Sequence, residues 1–352
     1  MCDALPMTTD TKAKVQATVK NASSKHILGR SSPEYSSGFV EAFCRVYGEE
    51  NWQQALQQKF FLPNETSFDD QRFFQGACEL SVANHIRLRA VTDFEVDKNV
   101  NPTNDTDVDM FFRRGAAIAV EVKCPVEPRP TIPPTANSSV MLVRTAGRIP
   151  AYPAGVDEFV SLVNASGAMP AVVGKNKDAT LKDFLISANN KFNPESGVDD
   201  LNILFLGCGD WADMANYYTY LYGNDELFTT QSFHPNAEFR LVDVVILSSL
   251  RYRHEHVRDG DDWTLRNVFL LPRLNPHGRN SRTQYALDRG LSVFDNHRKR
   301  FDAFEDVPDD PNATADMMKI LRLHHYSHQG LSAAEKARYF PVVLHPLNEP
   351  KR

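Results

Sequence analysis

Between residues 36 and 58 the apolar side chains Phe39, Phe43, Val46, Tyr47, Trp52 and Leu56 recur at helical spacing. A polar loop follows at 64–70. Residues 71–89 then form a second helical pattern, with Phe74, Ala77, Cys78, Val82, His85, Ile86 and Leu88 on its inward side. Beyond it the period shortens to two. Strands are predicted near 91–96, 106–112 and 116–123, with an Asn/Asp-rich loop before the second and Arg113-Arg114-Gly115 as the turn before the third.

Pro-rich residues 125–153 break the pattern and read as a long irregular excursion. Helices are expected at 155–163, 180–191 and 212–222. Continuous apolar runs at 201–206 and 241–248 predict buried strands, with a further one at 268–271. Residues 313–339 read as helical with breaks. The expected architecture is an α/β fold with a mixed central sheet flanked by helices. Its expected parts are a flexible leader at 1–35, a core at 36–250 carrying the 125–153 insertion, and a C-terminal elaboration at 251–352 packed on the same domain.

The strand pattern is interrupted by charge where a buried sheet should have none. Glu121 and Lys123 are two residues apart, so they share a face between Val120 and Val122. The short turn brings Asp109 alongside Glu121. Glu79, on the preceding helix, can reach over the sheet. Three carboxylates can bind a hard cation such as Mg²⁺ through oxygen. A cation of this kind activates water and clamps phosphate oxygens, while a lysine stabilises developing negative charge.

The run from Asp109 to Glu121-Val-Lys123 resembles the D-x(n)-E-x-K core of the PD-(D/E)XK nuclease superfamily, which has a restriction-endonuclease-like fold. That superfamily includes restriction enzymes, Holliday-junction resolvases and phage-type exonucleases. The resemblance covers residues 70–125 closely and 180–207 loosely. It implies that Asp109 and Glu121 are metal ligands, that Lys123 is the catalytic lysine, and that Glu79 is the acid of the first core helix. It also implies a Mg²⁺- or Mn²⁺-dependent phosphodiesterase acting on nucleic acid, DNA ahead of RNA, with a restriction or phage-defence role as one option and a homodimer as another. Val108 stands where the motif name has proline. Asp107 is an alternative ligand to Asp109, and no Gln-x-x-x-Tyr helix follows.

Composition adjusts this picture little. The 352 residues are 42% hydrophobic and 24% charged, with a formal net charge of -6. The chain is therefore not a globally basic nucleic-acid binder. Residues 251–300 nevertheless carry eleven Lys/Arg against six acids, a local basic stretch suited to phosphate contact, as are Arg113 and Arg114. The five cysteines have no CxxC spacing, which argues against a disulfide framework or a zinc cluster and for a cytoplasmic setting. No apolar run is long enough for a membrane helix.

Other motifs compete. Gly207-Cys208-Gly209 after an apolar strand resembles the first motif of a methyltransferase, so an S-adenosylmethionine-binding transferase is an alternative function. A non-catalytic scaffold with a nuclease-like fold is another. His324, His325 and His328, and the pair His254 and His256, read as ordinary histidines rather than a zinc set. Trp211, Tyr217, Tyr218, Tyr220 and Tyr222 could stack bases, but at helical spacing they read as core.

Overall fold

A computed structural model of the chain describes residues 7–125, 140–143, 161, 165, 171–174, 177–209, 211–222, 226–256, 263–266, 268, 270–279 and 284–294. Five helices come first: α1 (Thr9–Lys20), α2 (Ile27–Arg30), α3 (Pro33–Val46), α4 (Trp52–Phe60) and α5 (Asp70–Arg87). The meander β1 (Thr92–Asn99), β2 (Asp107–Arg113) and β3 (Ala117–Lys123) follows. After a separate parallel pair, β4 (Val140–Val143) and β5 (Ala171–Gly174), come α6 (Lys177–Lys191), β6 (Leu201–Gly207) and α7 (Trp211–Tyr222). The chain continues with β7 (Val244–Ser248), α8 (Leu250–His256), β8 (Leu270–Leu274) and α9 (Gln284–Leu291).

Six strands form one mixed sheet in the order β1-β2-β3-β6-β7-β8. The meander is antiparallel, β6 and β7 run parallel to β3, and β8 closes the far edge antiparallel. Every residue of β6 and β7 is buried, as expected of central parallel strands covered on both faces. This is the expected α/β class with a mixed sheet between helices.

Strand alternation divides the core in two. Ile118, Val120, Val122, Ile203 and Phe205 face α3, α4 and α5, where Phe39, Phe43, Phe60 and Phe73 pack with ring centroids 4.9 to 6.0 Å apart. Burying one such ring stabilises the fold by roughly 1.5–3 kcal/mol. Ala119, Leu204, Leu206, Val245 and Leu247 face the other way, onto Leu181, Leu185, Ala188 and Phe192 of α6 and its end and Met214, Tyr217 and Tyr218 of α7.

Helix starts follow their caps. Ser32 caps α3 ahead of Pro33, and Asp69 Oδ1 accepts the Gln71 N–H at 2.9 Å to start α5. The single helical run read over 36–58 is two helices, α3 and α4, broken around Gly48.

The expected flexible leader is a correction. Residues 9–20 and 27–30 are helical, and Val15, Val19, Ile27 and Leu28 are buried in the α3–α5 core. The docking is partly polar: Thr11 Oγ1 donates to Glu49 at 2.6 Å, and Lys12 pairs with Glu41 at 2.6 Å. The expected boundary at 250 is not a structural one either, because β8 is the sixth strand of the sheet. The helix read at 155–163, apart from the helical residue 161, the one read at 313–339, and His324, His325 and His328 lie outside the described residues, as does all of 126–153 except β4.

Candidate active site

The β2–β3 ladder is regular from Arg113↔Ala117 to Met110↔Val120. One step further would set Asp109 against Glu121, but the ladder ends. The Val122 N–H donates instead to Asp109 Oδ2 at 2.6 Å, so a side chain replaces the backbone acceptor. Asp109 is thereby fixed in the gap where the two strands part. Asp107, the alternative ligand, is exposed at the start of β2.

Glu121 is fully buried, on the face that α6 covers. Its Oε1 meets Lys123 Nζ at 2.7 Å and Lys191 Nζ, from the last residue of α6, also at 2.7 Å. Its Oε2 is buried with no hydrogen-bond partner among the described residues. Leaving a buried carboxylate oxygen unpaired is costly, which makes this atom conspicuous.

Glu79 comes from α5 on the opposite face. Gln75, one turn earlier, donates to Glu79 Oε1 at 2.7 Å and to the Val122 carbonyl at 2.9 Å, and accepts the Cys124 N–H at 2.7 Å. That amide ties α5 to the end of β3. Lys59, at the end of α4, bonds Glu79 Oε2 and Asp97 Oδ1, both at 2.8 Å. Helix α4 reaches this position because α5 has no side chain at Gly76: a Cβ there would lie 2.8 Å from the Lys59 carbonyl.

The groups perturb one another as a crowded set should. Burial, then the charges of Glu79 and Glu121, push the Asp109 carboxyl well above its ordinary range, against the pull of Lys59 and Lys191. Burial works against a charged Lys123, but Glu121, Asp109 and Glu79 outweigh it and raise its pKa, so it is an ammonium at neutral pH. Lys59 follows the same pattern, with Glu79, Tyr47, Asp97 and Asp109 overcoming its burial.

Of the four residues named from the sequence, Glu121 and Lys123 are in contact, and Asp109 and Glu79 lie near enough for their charges to act on that pair. Sequence reasoning missed Lys59, Gln75 and Lys191. Only Gln75 left a signal, being one helical turn before Glu79. The acids now face lysines, and among the described residues no three His, Cys, Asp or Glu side chains are grouped to hold a metal ion. The donor set itself, carboxylate oxygens with one buried and unpartnered, suits a hard divalent cation.

The other candidates are placed differently. Arg113 and Arg114 lie at the turn end of the hairpin, six residues and about 20 Å along β3 from Lys123. The basic stretch is not one phosphate-facing surface: Arg253 and Arg273 are buried, Arg273 lies over the Tyr218 ring, and Arg279 pairs with Asp243 at 3.1 Å. Tyr217 and Tyr218 are core residues. His254 is buried between Tyr35 Oη at 2.9 Å and Ser81 Oγ at 3.0 Å, and burial holds its pKa well below the ordinary value. At the Gly207 loop a Cβ would lie 2.8 Å from Cys78 Sγ, so α5 packs directly against this glycine.

No protein-family model, curated protein or solved structure matches this chain. None of the helices among the described residues is long and apolar enough to cross a membrane.

Proposed function

We propose that this protein is a metal-dependent nuclease that hydrolyses phosphodiester bonds in DNA, with a core of the restriction-endonuclease type. The observation that carries this reading is the convergence of Glu79, Asp109, Glu121 and Lys123 where β2 and β3 separate, with Glu121 Oε2 buried and unpartnered. The order helix, three-stranded meander, helix, parallel strand (α5, β1–β3, α6, β6) supports it further.

Asp109 and Glu121 would hold Mg²⁺ or Mn²⁺, with Glu79 assisting from α5. When bound, the ion supplies a water of lowered pKa and neutralises charge on the phosphate. Lys123, held as an ammonium by its neighbours, offers N–H donors to the negative charge that develops on the phosphoryl oxygens. Val122 orients Asp109 through its N–H, and Gln75 keeps Glu79 in register with β3. The transferase reading gains no support from the Gly207 loop, whose small residues accommodate Cys78.

The test is cleavage of plasmid, linear duplex and single-stranded DNA by wild type and Lys123→Ala, with Mg²⁺, Mn²⁺ or EDTA. Metal-dependent cutting that falls by about 10²–10³-fold in the variant is expected. Cutting that survives EDTA, or that Lys123→Ala leaves intact, counts against the proposal. No cutting on any substrate favours a scaffold.

A further inference from the structure

The site already holds three ammonium groups without a metal. Glu79, Asp109 and Glu121 stand against Lys59, Lys123 and Lys191, while the fourth acid, Asp97, lies at the exposed rim. Lys123 shares β3 with Glu121, and Lys59 holds Glu79 from α4. Lys191 arrives from α6, which contributes no carboxylate to the cluster, and it meets Glu121 on the oxygen that Lys123 already holds. It also lines an open recess of about 370 Å³, with Thr106, Asp183, Ile186, Ser187 and Asn190 around it. The Lys191 ammonium therefore has two places to go: the buried carboxylate, or the recess beside the start of β2.

We propose that Lys191 is a built-in cation that competes with the divalent metal for Glu121, so that metal entry requires Lys191 to turn out into the recess. The proposal rests on the nuclease reading of the site, and it makes Lys191 a positioning residue that regulates metal occupancy. The physics is mutual exclusion of charge. A divalent ion added beside Glu121, whose charge two ammonium groups already face, leaves an excess of positive charge in a site with a fully buried acid, which is unfavourable at low local dielectric. Departure of Lys191 removes part of that excess. An ammonium released into the recess is also placed to meet a backbone phosphate, whose negative charge offsets the remainder. Metal and nucleic acid should then bind more tightly together than apart.

The experiment is calorimetric titration of Mn²⁺ alone into the full chain, without nucleic acid, for wild type, Lys191→Ala, Lys191→Gln, Lys191→Arg and Lys182→Ala. The Ala and Gln variants are expected to bind Mn²⁺ on the order of tenfold more tightly than wild type. Gln keeps the side-chain length and a donor for Glu121, so it carries the test if the Ala variant does not fold. Arg should bind as wild type does. Lys182 lies on the same helix but pairs with Asp183 at 3.3 Å rather than with Glu121, so its removal should change nothing. Equal affinities throughout, a matching gain in Lys182→Ala, or no Mn²⁺ binding by any variant overturns the proposal. Cleavage is scored separately. Tighter binding in Lys191→Gln with no cutting by wild type keeps the competition and removes the nuclease reading, whereas metal-dependent cutting with unchanged affinity does the reverse.

Discussion

Two buried acid sites share the central sheet, and they are built on opposite plans. Asp243, just before β7, accepts the Asn202 N–H at 2.8 Å and a guanidinium N–H of Arg279 at 3.1 Å on the same oxygen, while its own backbone bonds Asn202 and Asn275. This acid meets the Arg279 cation and stitches β6, β7 and β8 together at their ends. At the other site Asp109, Glu121 and Glu79 come from three elements and are close enough for the last two to raise the pKa of the first. Burial of a carboxylate is common to both. What separates them is like-charge crowding, which weakens a fold and is the arrangement a cation-binding site requires.

The sharpest way to break this comparison is to remove one charge from each site. Asp109→Asn keeps an oxygen to accept the Val122 N–H but loses the negative charge. Cleavage with saturating Mg²⁺ should fall by more than about a hundredfold, while the melting temperature holds or rises, by an amount on the order of a few degrees. Plasmid nicking and a thermal melt on the same preparation check both. A variant that cuts normally, or that melts well below wild type, would show that Asp109 is another structural acid.

Asp243→Ala should do the opposite. It leaves the Asn202 N–H without its acceptor and the partly buried Arg279 with only its bonds to Ser196, at a cost of about 3 kcal/mol. The figure is at the low end of the range because the Arg279 side chain keeps 15% of its exposure. Chemical denaturation should report that loss, and Mn²⁺ affinity measured below the unfolding transition should be unchanged.

A pH series refines the contrast. Because the Asp109 pKa is raised in the folded state, the folded protein holds this proton more tightly than the unfolded chain does. The resulting instability is absent below the unfolded carboxyl pKa and grows as pH rises through the folded value. In EDTA, melting curves of wild type and Asp109→Asn should therefore coincide at acid pH and separate toward neutrality, with the variant more stable. Curves that separate at acid pH instead would contradict the direction of the shift.

The two sites were not equally legible in the sequence. Strand alternation alone puts Glu121 and Lys123 on one face, and the length of the turn sets Asp109 next to them, because all three lie within one hairpin. Asp243 sits in an apolar run and carries no comparable signature. The three lysines divide the same way. Lys123 is two residues from its partner, whereas Lys59 and Lys191 reach the site from separate helices, and no periodicity encodes which helix end meets which strand. The leader was misread for a related reason. Helix α1 offers the core only Val15 and Val19 at helical spacing, and the rest of its attachment is a set of polar bonds to residues about 30 to 40 positions away. Arginines in a locally basic stretch read as solvated, yet Arg273 is fully buried against Tyr218, a placement fixed by tertiary packing.

The smallest effect concerns the end of β6 beside Lys123, at the far end of the strand from Asp243. Gly207 ends β6 where α5 presses Cys78 against it, and a Cβ at 207 would stand 2.8 Å from Cys78 Sγ. If the loop serves packing, Gly207→Ala should cost about 1–2 kcal/mol through overpacking, and the double variant with Cys78→Ala should recover most of it, because the smaller side chain vacates the contested space. If the loop serves a nucleotide-like cofactor, Cys78→Ala should rescue nothing, and wild type should bind S-adenosylmethionine in a metal-free titration. The packing outcome also bears on the proposed active site. Cys78 immediately precedes Glu79, so a push at 207 is transmitted to the helix segment that carries that acid, and single-variant cleavage should fall with stability and return in the double variant. Recovery of stability without recovery of cleavage would mean that Glu79 answers to the position of Cys78 itself.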